Sequence, residues 1–259
     1  MSVLERFRLD GKRALITGGS RGLGRAIAQS LAEAGANLIL VGRDPETLRT
    51  AAKELAPLGR EVNTIAQDVG TPQDAAEMCE RALAECGPID VLVNNVGGRR
   101  NEDPVEETQL GDWQRVLDLN LNSVFVCCKL LGREMVRRRG GSIINIASIA
   151  GLLVIRGLKG RSYETAKAGL IALTQSLAAD WAPVKVRVNA IAPGGFLTDS
   201  NRRRVAEHPE LEETFGGMVP MCRWGQPDEI GPLALFLASD ASSYMTGATV
   251  VIDGGYSLW

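Results

Sequence analysis

Residues 14–24 read Ala-Leu-Ile-Thr-Gly-Gly-Ser-Arg-Gly-Leu-Gly, an apolar run that passes directly into a glycine-rich turn. Ala14–Thr17 suits a strand buried on both faces, because it is near-continuously apolar instead of alternating. The turn, Thr17-Gly18-Gly19-Ser20-Arg21-Gly22-Leu23-Gly24, opens a helical pattern over Leu23–Ala34. Its glycines allow a tight bend and a close approach to a pyrophosphate, while the helix N-terminus offers free N–H groups and positive potential. A lone glycine-rich turn has a structural explanation too; its place between the first strand and the first helix gives it weight.

The alternation continues outward from this point. Apolar runs recur at Leu38–Val41, Val62–Ala66, Val91–Val93, Ile143–Ile146, Val186–Ile191 and Thr249–Ile252. Helical patterns lie between them, at Leu48–Leu55 and in the longer Trp113–Arg138 and Ser162–Trp181. Gly35 stands where a C′ glycine belongs, and Asp44-Pro45 and Thr71-Pro72 are helix-start pairs. Strand–helix alternation implies a parallel sheet with helices on both faces and right-handed crossovers. No linker, repeat or low-complexity tract divides residues 1–259, so one α/β domain is expected.

Composition removes several function classes. With 259 residues, 45% of them hydrophobic, the chain is ample for a buried core. Lys and Arg number 29 against 31 Asp and Glu, a net charge of −2, which does not describe a nucleic-acid or membrane-surface binder. No apolar run approaches the ~18–20 residues of a membrane span. Met1–Gly11 lacks the apolar stretch of a signal peptide, and a cytoplasmic protein is expected. The five cysteines, Cys79, Cys86, Cys127, Cys128 and Cys222, are odd in number and show no CxxC spacing, which suggests reduced thiols. Cys127 and Cys128 read as small buried hydrophobes. One histidine, His208, leaves no means to assemble a His-metal cluster or a Ser-His-Asp triad. No metal is expected.

Further motifs follow the turn in order: Asp68-Val69, Asn94-Asn95-Val96-Gly97, Asn120, Ser148, Tyr163-Glu164-Thr165-Ala166-Lys167 and Pro193-Gly194. Together they resemble the short-chain dehydrogenase/reductase family over about the whole chain. The resemblance implies a seven-stranded Rossmann sheet of order 3-2-1-4-5-6-7, with a nucleotide-binding half at about 12–98 and a catalytic and substrate half at about 99–259. It also implies that Gly18, Ser20, Arg21, Gly22, Leu23 and Gly24 hold the cofactor phosphates. Asp68 would bind the adenine amino group beside Val69, and Asn95, Val96 and Gly97 would pass along the ribose. Pro193, Gly194, Phe196 and Thr198 complete the implied cofactor site. Val96 departs from the usual alanine, and slightly tighter packing is expected. Family members commonly form tetramers through the two long helices, so a homotetramer is expected. Tyr256–Trp259 suits a subunit contact.

The choice of dinucleotide rests on the end of the second strand, Val41-Gly42-Arg43. An acid there grips the adenosine ribose of NAD, whereas arginine accommodates the phosphate of NADP. Gly42 takes the acid's usual place, Arg43 follows, and Arg21 approaches from the glycine turn. Two guanidiniums suit a dianion. Asp44 is the competing ribose ligand, but Pro45 after it marks it as an N-cap. NADP(H) is therefore favoured over NAD(H).

Tyr163 and Lys167 stand four apart and so share a helix face. A free tyrosine, with pKa about 10, is a poor base at neutral pH; a nearby ammonium favours tyrosinate and adapts it to proton exchange. Ser148, after the fifth strand, is placed to donate to a substrate oxygen. By resemblance Asn120 holds a helix kink and a water on the proton path, and Lys167 also holds the nicotinamide ribose. The Ser148–Tyr163 interval is longer than usual for the family, which implies a substrate-edge insertion in 152–162.

Basic residues gather after three strands: Arg99 and Arg100, then Arg156, Lys159 and Arg161, then Arg202-Arg203-Arg204. Such a rim attracts an anion, although the last triplet has no apolar face and also reads as a solvated run. Asn95–Arg100, Arg223-Trp224-Gly225-Gln226-Pro227 and the Asp253–Tyr256 ending resemble the gluconate 5-dehydrogenase branch. A sugar acid such as 5-ketogluconate, held by Arg99, Arg100 and Arg156, is the expected small-molecule substrate. The rival is a 3-oxoacyl-(acyl-carrier-protein) substrate, for which Arg133 and Arg137–Arg139 would meet the acidic carrier. A non-catalytic NADP-binding regulator would have no use for the Asn120, Ser148, Tyr163, Lys167 set.

Overall fold

A computed structural model describes residues 2–98, 103–155 and 161–258. Arg13–Thr17 (β1), Asn37–Gly42 (β2), Val62–Ala66 (β3), Val91–Asn94 (β4), Gly141–Ile146 (β5), Val186–Pro193 (β6) and Thr249–Ile252 (β7) form one sheet of order β3-β2-β1-β4-β5-β6-β7. Every neighbouring pair is parallel. Side chains alternate across a strand, so β1 sends Ala14 and Ile16 to one core and Leu15 to the other. Both faces are covered, which is why the strand runs are continuously apolar.

Gly22–Glu33 (α1), Pro45–Leu55 (α2) and Gly231–Ala238 (α9) cover the first face with Ile27, Leu31, Leu48, Leu55 and Leu237. Pro72–Cys86 (α3), Ser123–Arg138 (α5) and Ser162–Trp181 (α6) cover the second with Met78, Cys79, Cys127, Cys128, Leu131 and Leu170. The five cysteines are free thiols. Helix starts follow the sequence signals: Asp44 accepts from the Glu46 amide at 2.9 Å and Thr71 from the Asp74 amide at 3.2 Å. Gly35, after α1, takes φ +111°, a conformation that favours glycine. No helix among the described residues is long and apolar enough to cross a membrane.

The long helix expected over Trp113–Arg138 is broken. Leu110–Leu117 (α4) passes into a π-turn at Asp118–Asn122 before α5 begins. A π-turn carries one extra residue per turn and leaves backbone groups to be satisfied by side chains. Asn120 Nδ2 donates to the Val116 carbonyl at 2.9 Å, and Ser123 Oγ donates to the Asp118 carbonyl at 2.7 Å.

β1 and β4 are adjacent, and the sheet order reverses between them, which opens a crevice at their carboxyl ends. Thr17 and Asn95 lace the two sides together. Thr17 Oγ1 accepts from the amides of Asn95 (2.9 Å) and Val96 (3.1 Å), while Asn95 Nδ2 donates to the Thr17 carbonyl at 2.9 Å. Thr17→Val keeps the shape but strips both amides of their acceptor. It should cost about 2 kcal/mol and lower Tm by about 5 °C in calorimetry. An unchanged Tm would show that the two amides find other partners.

Candidate functional site

The crevice is a cleft of about 800 Å³. Gly18, Ser20, Arg21 and Gly22 line one wall, and Asn95, Val96, Gly97 and Gly98 line another. Gly24 sits beneath the first wall: a Cβ there would lie 2.2 Å from the Gly18 carbonyl oxygen, so only glycine lets α1 start against the turn. The cradle therefore has the closeness and the free helix N-terminus that a pyrophosphate requires.

At one end stand Val41, Gly42, Arg43, Asp44 and Thr47, with Gln67, Asp68 and Val69 alongside. A Cβ on Gly42 would only touch Ser20 Oγ and Leu48 Cδ2 at 3.4 Å, so the space an acid would occupy is open. The Asp44 carboxylate caps α2, as expected. The Arg21 and Arg43 side chains are exposed, line the same cleft and make no ion pair among the described residues. Asp68 Oδ1 accepts from the Val69 and Gly70 amides at 2.8 and 3.0 Å, which fixes its carboxylate at the cleft edge.

The proton-transfer candidates Asn120, Ser148, Tyr163 and Lys167 do not themselves line this cleft; Asn120 and Lys167 stand directly behind Gly97 of its wall. Lys167 on α6 is 3% exposed; its Nζ donates to the Ile146 carbonyl at the end of β5 at 2.8 Å. Nζ also lies 5.7 Å from the centroid of the Tyr163 ring, one turn back on the helix. Burial pushes the Lys167 ammonium down to about 8. Asn120, fully buried, accepts from the Gly98 amide and donates to the Gly98 carbonyl, both at 3.0 Å. The π-turn is thus the device that aims Asn120 at the loop after β4. A Cβ on Gly97 would sit 2.8 Å from Asn120 Oδ1 and 3.0 Å from Lys167 Nζ, so glycine lets these groups meet the cleft wall.

Ser148 follows β5, and its Oγ accepts from the Ala150 amide at 3.1 Å. The short turn that it starts rests on α6 at Lys167: a Cβ on Gly151 would lie 2.7 Å from the Lys167 carbonyl carbon. Arg99, Arg100, Arg156 and Lys159 lie outside the described residues. Arg161 pairs with Glu164 at 3.3 Å.

Two short helices after β6, Asp199–Glu207 (α7) and Glu210–Met218 (α8), form a flap of which only the α7 end borders the cleft. Thr198, Asp199, Ser200 and Arg203 line the cleft from this side. Pro193, Gly194 and Phe196 do not line it. The Gly194 amide donates to the Ile252 carbonyl, and Phe196 is 4% exposed and bridges to Gly225, so they anchor the segment between β6 and α7. Leu23 and Gly24 likewise support the turn from behind. Arg223 clasps Glu229 with two bonds of 2.7 Å and holds that carboxyl down at about 2. The Arg-Trp-Gly-Gln-Pro element thereby anchors the flap's return. Half-buried Tyr256 joins an aromatic stack: Phe215 of α8 lies 4.0 Å from Trp224 and 5.9 Å from Tyr256, centroid to centroid. Among the described residues no cluster of three His, Cys, Asp or Glu side chains is placed to hold a metal ion.

A phosphate cradle at a Rossmann switch point, leading to a buried lysine beside a tyrosine, defines a dinucleotide-dependent oxidoreductase. Residues 18–257 match the family model described as enoyl-(acyl carrier protein) reductase. The chain is 41% identical to galactitol 2-dehydrogenase (L-tagatose-forming) of Cereibacter sphaeroides over 98% of each protein. It is 39% identical to a 3-oxoacyl-(acyl-carrier-protein) reductase of Chlamydia trachomatis, over 95% of this chain and 98% of that one. The crystal structure of a gluconate 5-dehydrogenase from Burkholderia cenocepacia J2315, in complex with NADP and tartrate, superposes with a TM-score of 0.91 at 36% identity over 100% of both chains. The chain belongs to the short-chain dehydrogenase/reductase family, whose members act on alcohol and ketone groups with a nicotinamide cofactor.

The depressed Lys167 has a direct test. Burial disfavours its ammonium, so its adverse contribution to stability is full below about pH 8 and is relieved as pH rises toward 10.5. The 13Cε resonance of Lys167, assigned by comparison with Lys167→Met, should titrate with a midpoint near 8. A midpoint at 10 or above would contradict this burial.

Proposed function

We propose that the protein is an NADP(H)-dependent oxidoreductase that interconverts a secondary alcohol and a ketone on a small polyhydroxylated acid, such as gluconate and 5-ketogluconate. The observation that carries the cofactor choice is the pairing of Arg21 and Arg43 around the open space at Gly42. Two guanidiniums without acidic partners among the described residues suit the 2′-phosphate of NADP. NADP in the solved gluconate 5-dehydrogenase supports the reading, and the tartrate in that complex is an acid of the proposed substrate class. Arg99 and Arg100, which follow the cleft-lining Gly98 in sequence, and Arg156 would hold the substrate carboxylate.

The nicotinamide cofactor, when bound, supplies or accepts the hydride. Tyr163 exchanges the proton at the substrate oxygen, and Ser148 Oγ donates to that same oxygen. Lys167, held by the Ile146 carbonyl, stabilises tyrosinate through its charge and reaches the cofactor ribose. Asn120 is a positioning residue: it holds Gly98 and the Val116 carbonyl, and so fixes the wall on which the ribose lies. Asp68 and Val69 seat the adenine. Thr198 would border the cofactor from the α7 side.

The protein would work in the cytoplasm as a homotetramer assembled through α4–α5 and α6. Exposed Leu110 and Phe125 support burial of that face. The second reading, a 3-oxoacyl-(acyl-carrier-protein) reductase, is favoured by the similarity to the chlamydial enzyme.

Initial rates of NADPH and NADH oxidation, with 5-ketogluconate beside a short 3-oxoacyl thioester, separate the readings. The proposal expects NADPH-dependent turnover of the sugar acid. Turnover of the thioester alone would select the second reading, and a strong NADH preference would hand the ribose to Asp44. Tyr163→Phe should lower kcat by about 100-fold or more while leaving the NADPH Kd within about twofold; an active variant would remove Tyr163 from the chemistry. Arg43→Ala should weaken NADPH by about tenfold and leave NADH unchanged.

A further inference from the structure

Three consecutive arginines on α7 have three different surroundings. Arg202 Nη2 donates to Gln226 Oε1 at 2.8 Å, which ties it to the flap's return. Arg204 is exposed and does not line the cleft. Arg203 does line it, with Asp199 and Ser200 one turn earlier on the same helix face. Its guanidinium makes no hydrogen bond or ion pair among the described residues, even with Asp199 at the i−4 position. The flap also meets the glycine turn: a Cβ on Gly22 would lie 3.5 Å from Thr198 Cγ2. Gly22 is the first residue of α1, so α7 begins over the helix N-terminus that offers its amides to a pyrophosphate. The base of α7 is fixed by Asn201 Nδ2, which donates to the Phe196 carbonyl at 2.7 Å.

We propose that Arg203 is a flap-borne clamp for the cofactor pyrophosphate, reaching from α7 across the cleft to the phosphates seated on α1. The inference rests on the dinucleotide-binding reading above. It gives the anion a ligand on each side: backbone amides of the glycine turn on one, and the Arg203 guanidinium of α7 on the other. A guanidinium is suited to this place because it binds phosphate oxygens bidentately and stays charged. Release of cofactor then requires Arg203 to let go, which couples flap opening to cofactor exit. The role differs from that of Arg43: the pyrophosphate belongs to NADPH and NADH alike, whereas the 2′-phosphate belongs to NADPH alone.

The test measures binding, not turnover. NADPH and NADH are titrated by fluorescence into the full-length protein and into Arg203→Ala, Arg203→Lys, Arg43→Ala and Arg204→Ala, and dissociation rates are read by stopped flow. Arg203→Ala should weaken both cofactors by a similar factor, about tenfold, chiefly through faster dissociation, and Arg203→Lys should recover part of the loss. Arg204→Ala should bind as the parent does. If Arg203→Ala weakens NADPH alone, Arg203 serves the 2′-phosphate and the clamp is overturned. If it leaves both cofactors unchanged but raises KM for the acid substrate, the arginine belongs to the substrate and the clamp is again overturned. Failure of the parent to bind either cofactor would overturn the underlying reading instead.

Discussion

The buried ammonium of Lys167 is the constraint around which the site is arranged. A charge taken out of water is costly unless polar groups receive it, and this one is met by the Ile146 carbonyl at the end of β5 and by the face of Tyr163. Meeting it requires β5, α6 and the loop after β4 to converge at one point. Gly97 permits that convergence because no Cβ stands between the loop and Nζ. Asn120 holds the same loop from the other side, and it does so only because the helix widens into a π-turn. In the proposed mechanism, proton transfer and cofactor placement would share this one charged atom.

The opposite end of the cleft is governed by anion chemistry. There the backbone of the glycine turn provides the surface, and Gly24 lets α1 lie against it. Arginines from three separate segments, at 21, 43 and 203, border the same space. Their guanidiniums make no ion pair among the described residues, although Asp44, Asp68 and Asp199 line the same space, so each is left with donors for an anionic ligand. The flap completes the enclosure, and its stability comes from the Phe215 stack on Trp224 and Tyr256 together with the Arg223–Glu229 clasp.

Much of this was legible in the chain. The seven strands were visible because two-sided burial leaves unbroken apolar runs, and Val62–Ala66 and Thr249–Ile252 match their observed bounds. Asp44 was readable as a cap because Pro45 follows it. The π-turn was not readable from periodicity, since Trp113–Arg138 reads as one helix; only the family resemblance, through a kink at Asn120, pointed to a break there. α7 was missed for the opposite reason, since it buries none of its residues and so carries no periodic signal. Its arginines looked alike in sequence; only the placement of Thr198 against Gly22 tells Arg203 from its neighbours. The stack of Tyr256 on Phe215 was not readable because the two residues lie far apart in the chain.

The central claim is that one lysine ammonium serves both the cofactor and the proton-transfer tyrosine. Equilibrium NADPH affinity from pH 7 to 10 tests it most directly, because the 2′-phosphate, with a second pKa of ~6, is already dianionic throughout. Affinity should hold steady below about pH 8 and weaken above it as the buried ammonium loses its proton. Lys167→Met should bind weakly with no such pH dependence. Parent affinity that is flat to pH 10, or a methionine variant that binds as tightly as the parent, would contradict the account.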